Sequence, residues 1–152
     1  MVSPAFILSL LCSLLLTGMA WFSSVSTLPL LRWIPENARK EASEEFKKRS
    51  TLLHFPLVSL ELLSSFATLI FSVRSMSASD QAARFIQLYG LSFFILLAIW
   101  GISLGILRRQ RAAFWENPTE KSYQAMYITS FIRAGLWTFR SMLILFSIAL
   151  KV

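Results

Sequence analysis

Four long apolar stretches, at residues 5–31, 52–73, 83–107 and 126–150, constrain this chain more than anything else in it. Each supplies the roughly 20 residues that a helix needs to cross about 30 Å of hydrocarbon. Lipid offers no water to satisfy a backbone N–H or C=O, so an open-ended spanning segment has to be helical. The expected fold is therefore all-α: an integral membrane, antiparallel four-helix bundle, with residues 1–152 as a single domain. The first stretch contains Thr17-Gly18-Met19-Ala20, small residues of the kind a secretory leader presents for cleavage. It lacks a basic lead-in and exceeds the usual length of a leader core, which predicts a retained span.

Composition agrees with spanning helices. Hydrophobic residues make up 55% of the chain, mean hydropathy is +0.60, and charged residues fall to 15%, against roughly 25% in globular proteins. A net charge of +7 raises nucleic acid as a partner. The charges, however, cluster in two short linkers between apolar runs, where membrane proteins hold their cytoplasmic basic residues, so no nucleic acid is expected. Cys12 is the only cysteine and His54 the only histidine. One thiol rules out an internal disulfide or a multi-cysteine metal site, and one imidazole rules out a two-histidine haem within one chain. No metal and no cofactor are expected.

The linkers predict local structure. Pro35 stands where a helix can begin, and Glu36–Lys40, Glu44–Lys48 and Glu45–Arg49 are (i, i+4) pairs in the favourable order. They predict a short charged cytoplasmic amphipathic helix over 36–50, between spans 1 and 2, with Pro56 bending or ending it. Ser79-Asp80 offers an N-cap for the third span. Asn117-Pro118-Thr119-Glu120 offers an Asn-led cap for the fourth. The linker 32–51 carries six Lys and Arg, the linker 108–125 carries four, and the opposite side has only Arg74, Arg84 and Lys151. Both linkers should be cytoplasmic and both termini outside.

Ionisable groups inside the spans carry the functional expectation. A charged side chain at mid-bilayer costs at least about 2.5–3.5 kcal/mol on insertion scales, so such groups face protein or trapped water and mark function. Glu61, Arg133 and Arg140 are of this kind, and His54 sits near the cytoplasmic end of the second span. His54 and Glu61 are seven residues apart, two turns, with Ser65 and Thr68 continuing their face. Ser130, Arg133, Trp137 and Arg140 form the matching stripe on the fourth span. Ser13, Thr17, Ser24 and Thr27 do so on the first, and Tyr89, Trp100 and Ser103 on the third. Turned inward together, these stripes predict a polar, aromatic-lined interior. Depth counted from the cytoplasmic ends brings Glu61 level with Arg133, one carboxylate then serving both arginines. A buried Glu–Arg pair can do no more than fix helix register, but a second arginine leaves a positive charge to be met by a ligand. Trp21, Trp33 and Trp115 fall at the expected interfaces as aromatic belts.

The order of features is also familiar. Gly18 and Trp21-Phe22 precede Pro29-Leu30, Glu61 follows a Lys-Arg run, and Asn117-Pro118 precedes Ser130-Phe131-Ile132-Arg133-x-x-x-Trp137-x-x-Arg140. This resembles the small four-span bacterial membrane proteins grouped with the anthrone-oxygenase-like family. The resemblance implies a bacterial inner membrane and oxidation of a flat polycyclic phenol without metal or flavin. It further implies that Arg133 and Arg140 hold an enolate-like oxygen and that Trp100 and Trp137 stack on the ring. The linker after the third span is more basic than that family's.

Three functions follow as expectations. One is a pocket for a small lipophilic or anionic ligand, lined by Trp100, Trp137, Ser130, Ser65, Tyr89 and Thr17, with Glu61 positioning an arginine or acting as a base. A base needs a raised carboxyl pKa and a close arginine lowers it, so positioning is the stronger role. The second is proton or solute transport along His54 and Glu61, through a single chain or a homo-oligomer. The third is a non-catalytic assembly partner that uses 36–50 as its contact surface.

Overall fold

The computed structural model describes residues 3–74 and 80–149. Four helices account for nearly all of them: α1 (Pro4–Trp33), α2 (Glu36–Arg74), α3 (Ala82–Glu116) and α4 (Glu120–Ala149). All four are long and apolar enough to cross a membrane. Ser3 caps α1 by accepting from the Phe6 N–H at 3.3 Å, with Pro4 at the first helical position. The cap of α4 is led by Thr119 and not by Asn117. Thr119 Oγ1 accepts from the Ser122 N–H and Ser122 Oγ accepts from the Thr119 N–H, both at 3.1 Å. The expected cap at Ser79 lies outside the described residues.

The charged lead-in helix is not a separate element. After one 3₁₀ turn at Glu36–Ala38, a single α-helix runs from Arg39 to Arg74 with Pro56 inside it. Proline deletes one helical hydrogen bond there. The bonds on either side of it keep the helix continuous. At about 1.5 Å per residue its 36 residues reach roughly 54 Å, well beyond a hydrocarbon core. Of the expected surface pairs, Glu45–Arg49 closes at 2.6 Å, while Glu36 meets Arg39 at 3.9 Å in place of Lys40.

Buried residues on α4 advance in alternating steps of four and three: Met126, Ser130, Arg133, Trp137, Arg140, Ile144 and Ser147. That is the spacing of a straight packing seam. On α1 the seam Phe6, Ser9, Ser13, Leu16, Ala20 is interrupted by a π-helical stretch, Ser23–Thr27. A wide turn adds one residue to the count, so the seam resumes at Ser24, Leu28 and Leu31. The same happens on α3, where Phe85, Tyr89, Ser92, Leu96 and Ile99 precede a π-helical stretch at Ile102–Leu107. Beyond it Leu107 and Phe114 are buried, seven residues apart.

The seams stack in layers. Leu28, Leu31, Leu107, Phe114, Tyr123 and Met126 close the end where α2 and α4 begin. A middle layer follows, built from Leu16, Ala20, Leu96, Ile99, Ala134 and Trp137, and a third from Phe6, Phe85, Tyr89 and Ile144. Outside, large apolar side chains face away from the protein, Phe94 at 70% exposure and Phe22 at 68%. The polar residues are gathered inward and the hydrophobes outward, the reverse of a water-soluble bundle.

Candidate functional site

Between the second and third apolar layers all four helices converge on one side chain. Arg140 is fully buried, and its guanidinium forms an ion pair with the equally buried Glu61. Three further N–H groups are used as well. Nη1 donates to Ser13 Oγ at 2.9 Å, Nη2 to Ser65 Oγ at 2.8 Å, and Nε to the Ser92 carbonyl at 3.2 Å. Arg140 of α4 is thus tied to α1, α2 and α3 together.

A second tier supports these partners. Ser65 and Ser9 donate to Glu61 Oε1 at 3.3 and 3.4 Å, and Tyr89 Oη donates to Ser9 at 2.9 Å. Ser141 bonds both Ser13 and Thr17 at 2.9 Å. The Trp137 ring lies 5.7 Å from the Arg140 guanidinium carbon, within cation–π range. Glu61, Arg140, Ser65, Tyr89, Thr17 and Trp137, all predicted from sequence, therefore meet at one place. Ser9, Ser92 and Ser141 complete it. The signal for two of them was present but weak: Ser9 is one turn before Ser13, and Ser92 is three residues after Tyr89.

Arg133 stands apart. It is 8% exposed, yet no ion pair or side-chain hydrogen bond joins it to any described residue, and its Nε is fully buried without a partner. Of the two arginines that Glu61 was expected to serve, it pairs with Arg140 and not with Arg133, for a geometric reason. Arg39 and Glu120, the starts of the long helices, line one cavity and so lie side by side. Glu61 comes 22 residues after Arg39 and Arg140 comes 20 after Glu120, about 33 and 30 Å along their axes. Measuring from the ends of the apolar runs shortened one helix more than the other.

Among the described residues two buried atoms without a partner, Glu61 Oε2 and Ser92 Oγ, belong to the Arg140 site, and five more, Arg133 Nε included, lie on residues 100–133. Ser130 Oγ, one turn before it, is fully buried with no partner, and so is the indole N–H of Trp100 on α3. Gln110 Oε1 and Arg111 Nε, further along α3, are unpartnered too. Buried polar groups are normally bonded, since each orphan costs about 1–3 kcal/mol. Five such atoms on residues 100–111 and 130–133 are therefore a feature to explain. Arg111 and His54 both lie within Coulombic range of Arg133. The Arg111 guanidinium sits over Phe46 at 5.3 Å, and His54 Nδ1 is 3.1 Å from the Ser50 carbonyl.

The remaining expectations are quickly placed. Cys12 is buried. Trp33 is 84% exposed, whereas the Trp21 indole donates to Thr138 at 2.8 Å. An open cavity of about 250 Å³ at the loop end is lined by Arg32, Arg39, Glu120 and Tyr123 among others. Its cations are already partnered, Arg32 by Glu120 and the Tyr123 ring and Arg39 by Glu36. No group of three or more metal-ligating side chains occurs among the described residues. No protein-family model, curated protein or solved structure matches this chain.

Proposed function

We propose that the chain is a multi-pass membrane protein, an antiparallel four-helix bundle with the Arg39 and Glu116 ends in the cytoplasm, whose interior binds an amphipathic molecule by an anionic oxygen. The outward Leu, Ile and Phe side chains support embedding, and the ten Lys and Arg of the two linkers support the orientation. One observation carries the binding reading: Arg133 is 8% exposed with its Nε fully buried and unpartnered. A charge among spanning helices is costly unless something compensates it, and among the described residues no carboxylate lies within 4 Å of it. An anionic oxygen of a ligand would compensate it, with Ser130 Oγ and the Trp100 indole as further donors. Trp100 packs in the layer that holds Trp137, so a ring or acyl chain would find aromatic surface beside the cation. Glu61 is engaged by Arg140, Ser9 and Ser65, which suits it to positioning. Binding is the reading put forward.

The test compares wild type with Arg133→Met, each purified in nanodiscs and analysed for retained amphiphile by native mass spectrometry. Wild type should carry an anionic amphiphile that Arg133→Met loses about tenfold or more, the loss of one charge-assisted hydrogen bond. Equal ligand content in the two proteins would remove Arg133 from the site and end this reading.

A further inference from the structure

The π-helical stretch in α3 has a consequence for which basic residue faces inward. In a helix of constant pitch, the seam through Leu96 and Ile99 would continue at 103, 106 and 110. The wide turn at Ile102–Leu107 shifts it by one residue. Leu107 and Phe114 are buried in its place, and Gln110 and Arg111 between them are both half-buried, each with a buried unpartnered atom. Arg111, a linker charge by sequence, is thereby set on the inward line, half-buried, within Coulombic range of Arg133 and without a partner for its Nε. The two guanidiniums lie within Coulombic range of each other, and among the described residues no carboxylate lies within 4 Å of either.

We infer that Arg111 and Arg133 form a two-arginine site for a phosphate group, and that the amphiphile bound by this protein is one with a phosphomonoester headgroup. This rests on the binding reading above and narrows it. A carboxylate or phenolate brings one negative charge and leaves the second guanidinium unmet. A phosphomonoester brings about −1.5 to −2 charges at pH 7 and three strong acceptor oxygens. The unpartnered groups here are mostly donors: Arg111 Nε, Arg133 Nε, the Trp100 indole N–H and the Ser130 hydroxyl. Arginine forks match phosphate oxygens in geometry as well as in charge. Arg111 lies four residues beyond the π-helical stretch Ile102–Leu107, in the segment Arg108–Glu116 proposed to be cytoplasmic. The headgroup therefore belongs to the cytoplasmic leaflet.

The experiment measures binding of phosphatidic acid, oleate, phosphatidylcholine and inorganic phosphate to the detergent-purified full chain. Phosphatidic acid should bind at least about tenfold more tightly than oleate or phosphatidylcholine. Arg111→Gln should abolish that preference while leaving oleate within about twofold, and Arg111→Lys should restore part of it. Ligand-free Arg111→Gln should melt within a few degrees of wild type, because it removes a cation with no carboxylate partner among the described residues and one contact with the Phe46 ring, which separates lost binding from lost folding. Competition by millimolar inorganic phosphate would assign recognition to the oxyanion alone, and its absence would assign it to the lipid. If oleate binding depends on Arg133 but phosphatidic acid shows no preference, or none that depends on Arg111, the phosphate inference is wrong and the binding reading stands. If binding of neither amphiphile responds to Arg133→Met, both are wrong.

Discussion

Arg133 and Arg140 lie two turns apart on one seam of one helix, and both are buried, yet they live in opposite circumstances. Around Arg140, a carboxylate, two hydroxyls and a carbonyl from three other helices take up most of the guanidinium's donors, although Glu61 Oε2 and Ser92 Oγ beside it have no partner. Along the same stretch of the bundle the Ser130 hydroxyl, the Trp100 indole N–H and Arg111 Nε have no hydrogen-bond partner. A charge with partners on three other helices holds them in register; a charge with no partner among the described residues is available to something else. Burial alone does not distinguish the two. The count of partners does.

The comparison can be broken most forcefully at the carboxylate. Glu61→Leu leaves Arg140 buried and uncompensated and should destabilise the protein by about 3–5 kcal/mol, the usual cost of halving a buried pair. The double variant Glu61→Leu/Arg140→Met should recover most of that loss. Thermal unfolding in detergent checks both, and a double variant as unstable as the single one would show that the surrounding hydroxyls, not the charge pair, hold the helices.

A smaller effect sharpens the contrast between two serines that are both fully buried. Ser9 bonds Glu61, Ser65 and Tyr89, so Ser9→Ala should cost about 0.6–1.7 kcal/mol, the range of hydrogen bonds between membrane helices. Ser130 Oγ bonds nothing on the protein, so Ser130→Ala should be neutral in the absence of ligand and costly only to binding. Equal losses in the two variants would erase the distinction. Smallest of all, Arg49→Ala removes an exposed pair with Glu45 and should change stability by less than about 0.5 kcal/mol.

The number of helices was legible because hydropathy is a strong signal over 20 residues. The inward stripes were legible too, since Glu61, Ser65 and Thr68 share a face in any regular helix. Pairing across helices was not, because it depends on where helices start, and Arg39 and Glu120 lie outside the apolar runs from which depth was counted. Pro56 suggested a break that the neighbouring helical bonds override. Ser9, Ser92 and Ser141 carry little signal by themselves, as serine is common on any helix face. Arg111 was hidden for a different reason: only the wide turn before it brings an apparent linker charge onto the inward line.

The most direct measurement is thermal unfolding of Arg133→Met and Arg140→Met, side by side in the same ligand-free detergent. Arg140→Met should be destabilised by about 3–5 kcal/mol, because Glu61 is left without its partner, while Arg133→Met should match or exceed wild type. If Arg133→Met unfolds as readily as Arg140→Met, the protein itself depends on that charge, and the region around Arg133 is not a binding site.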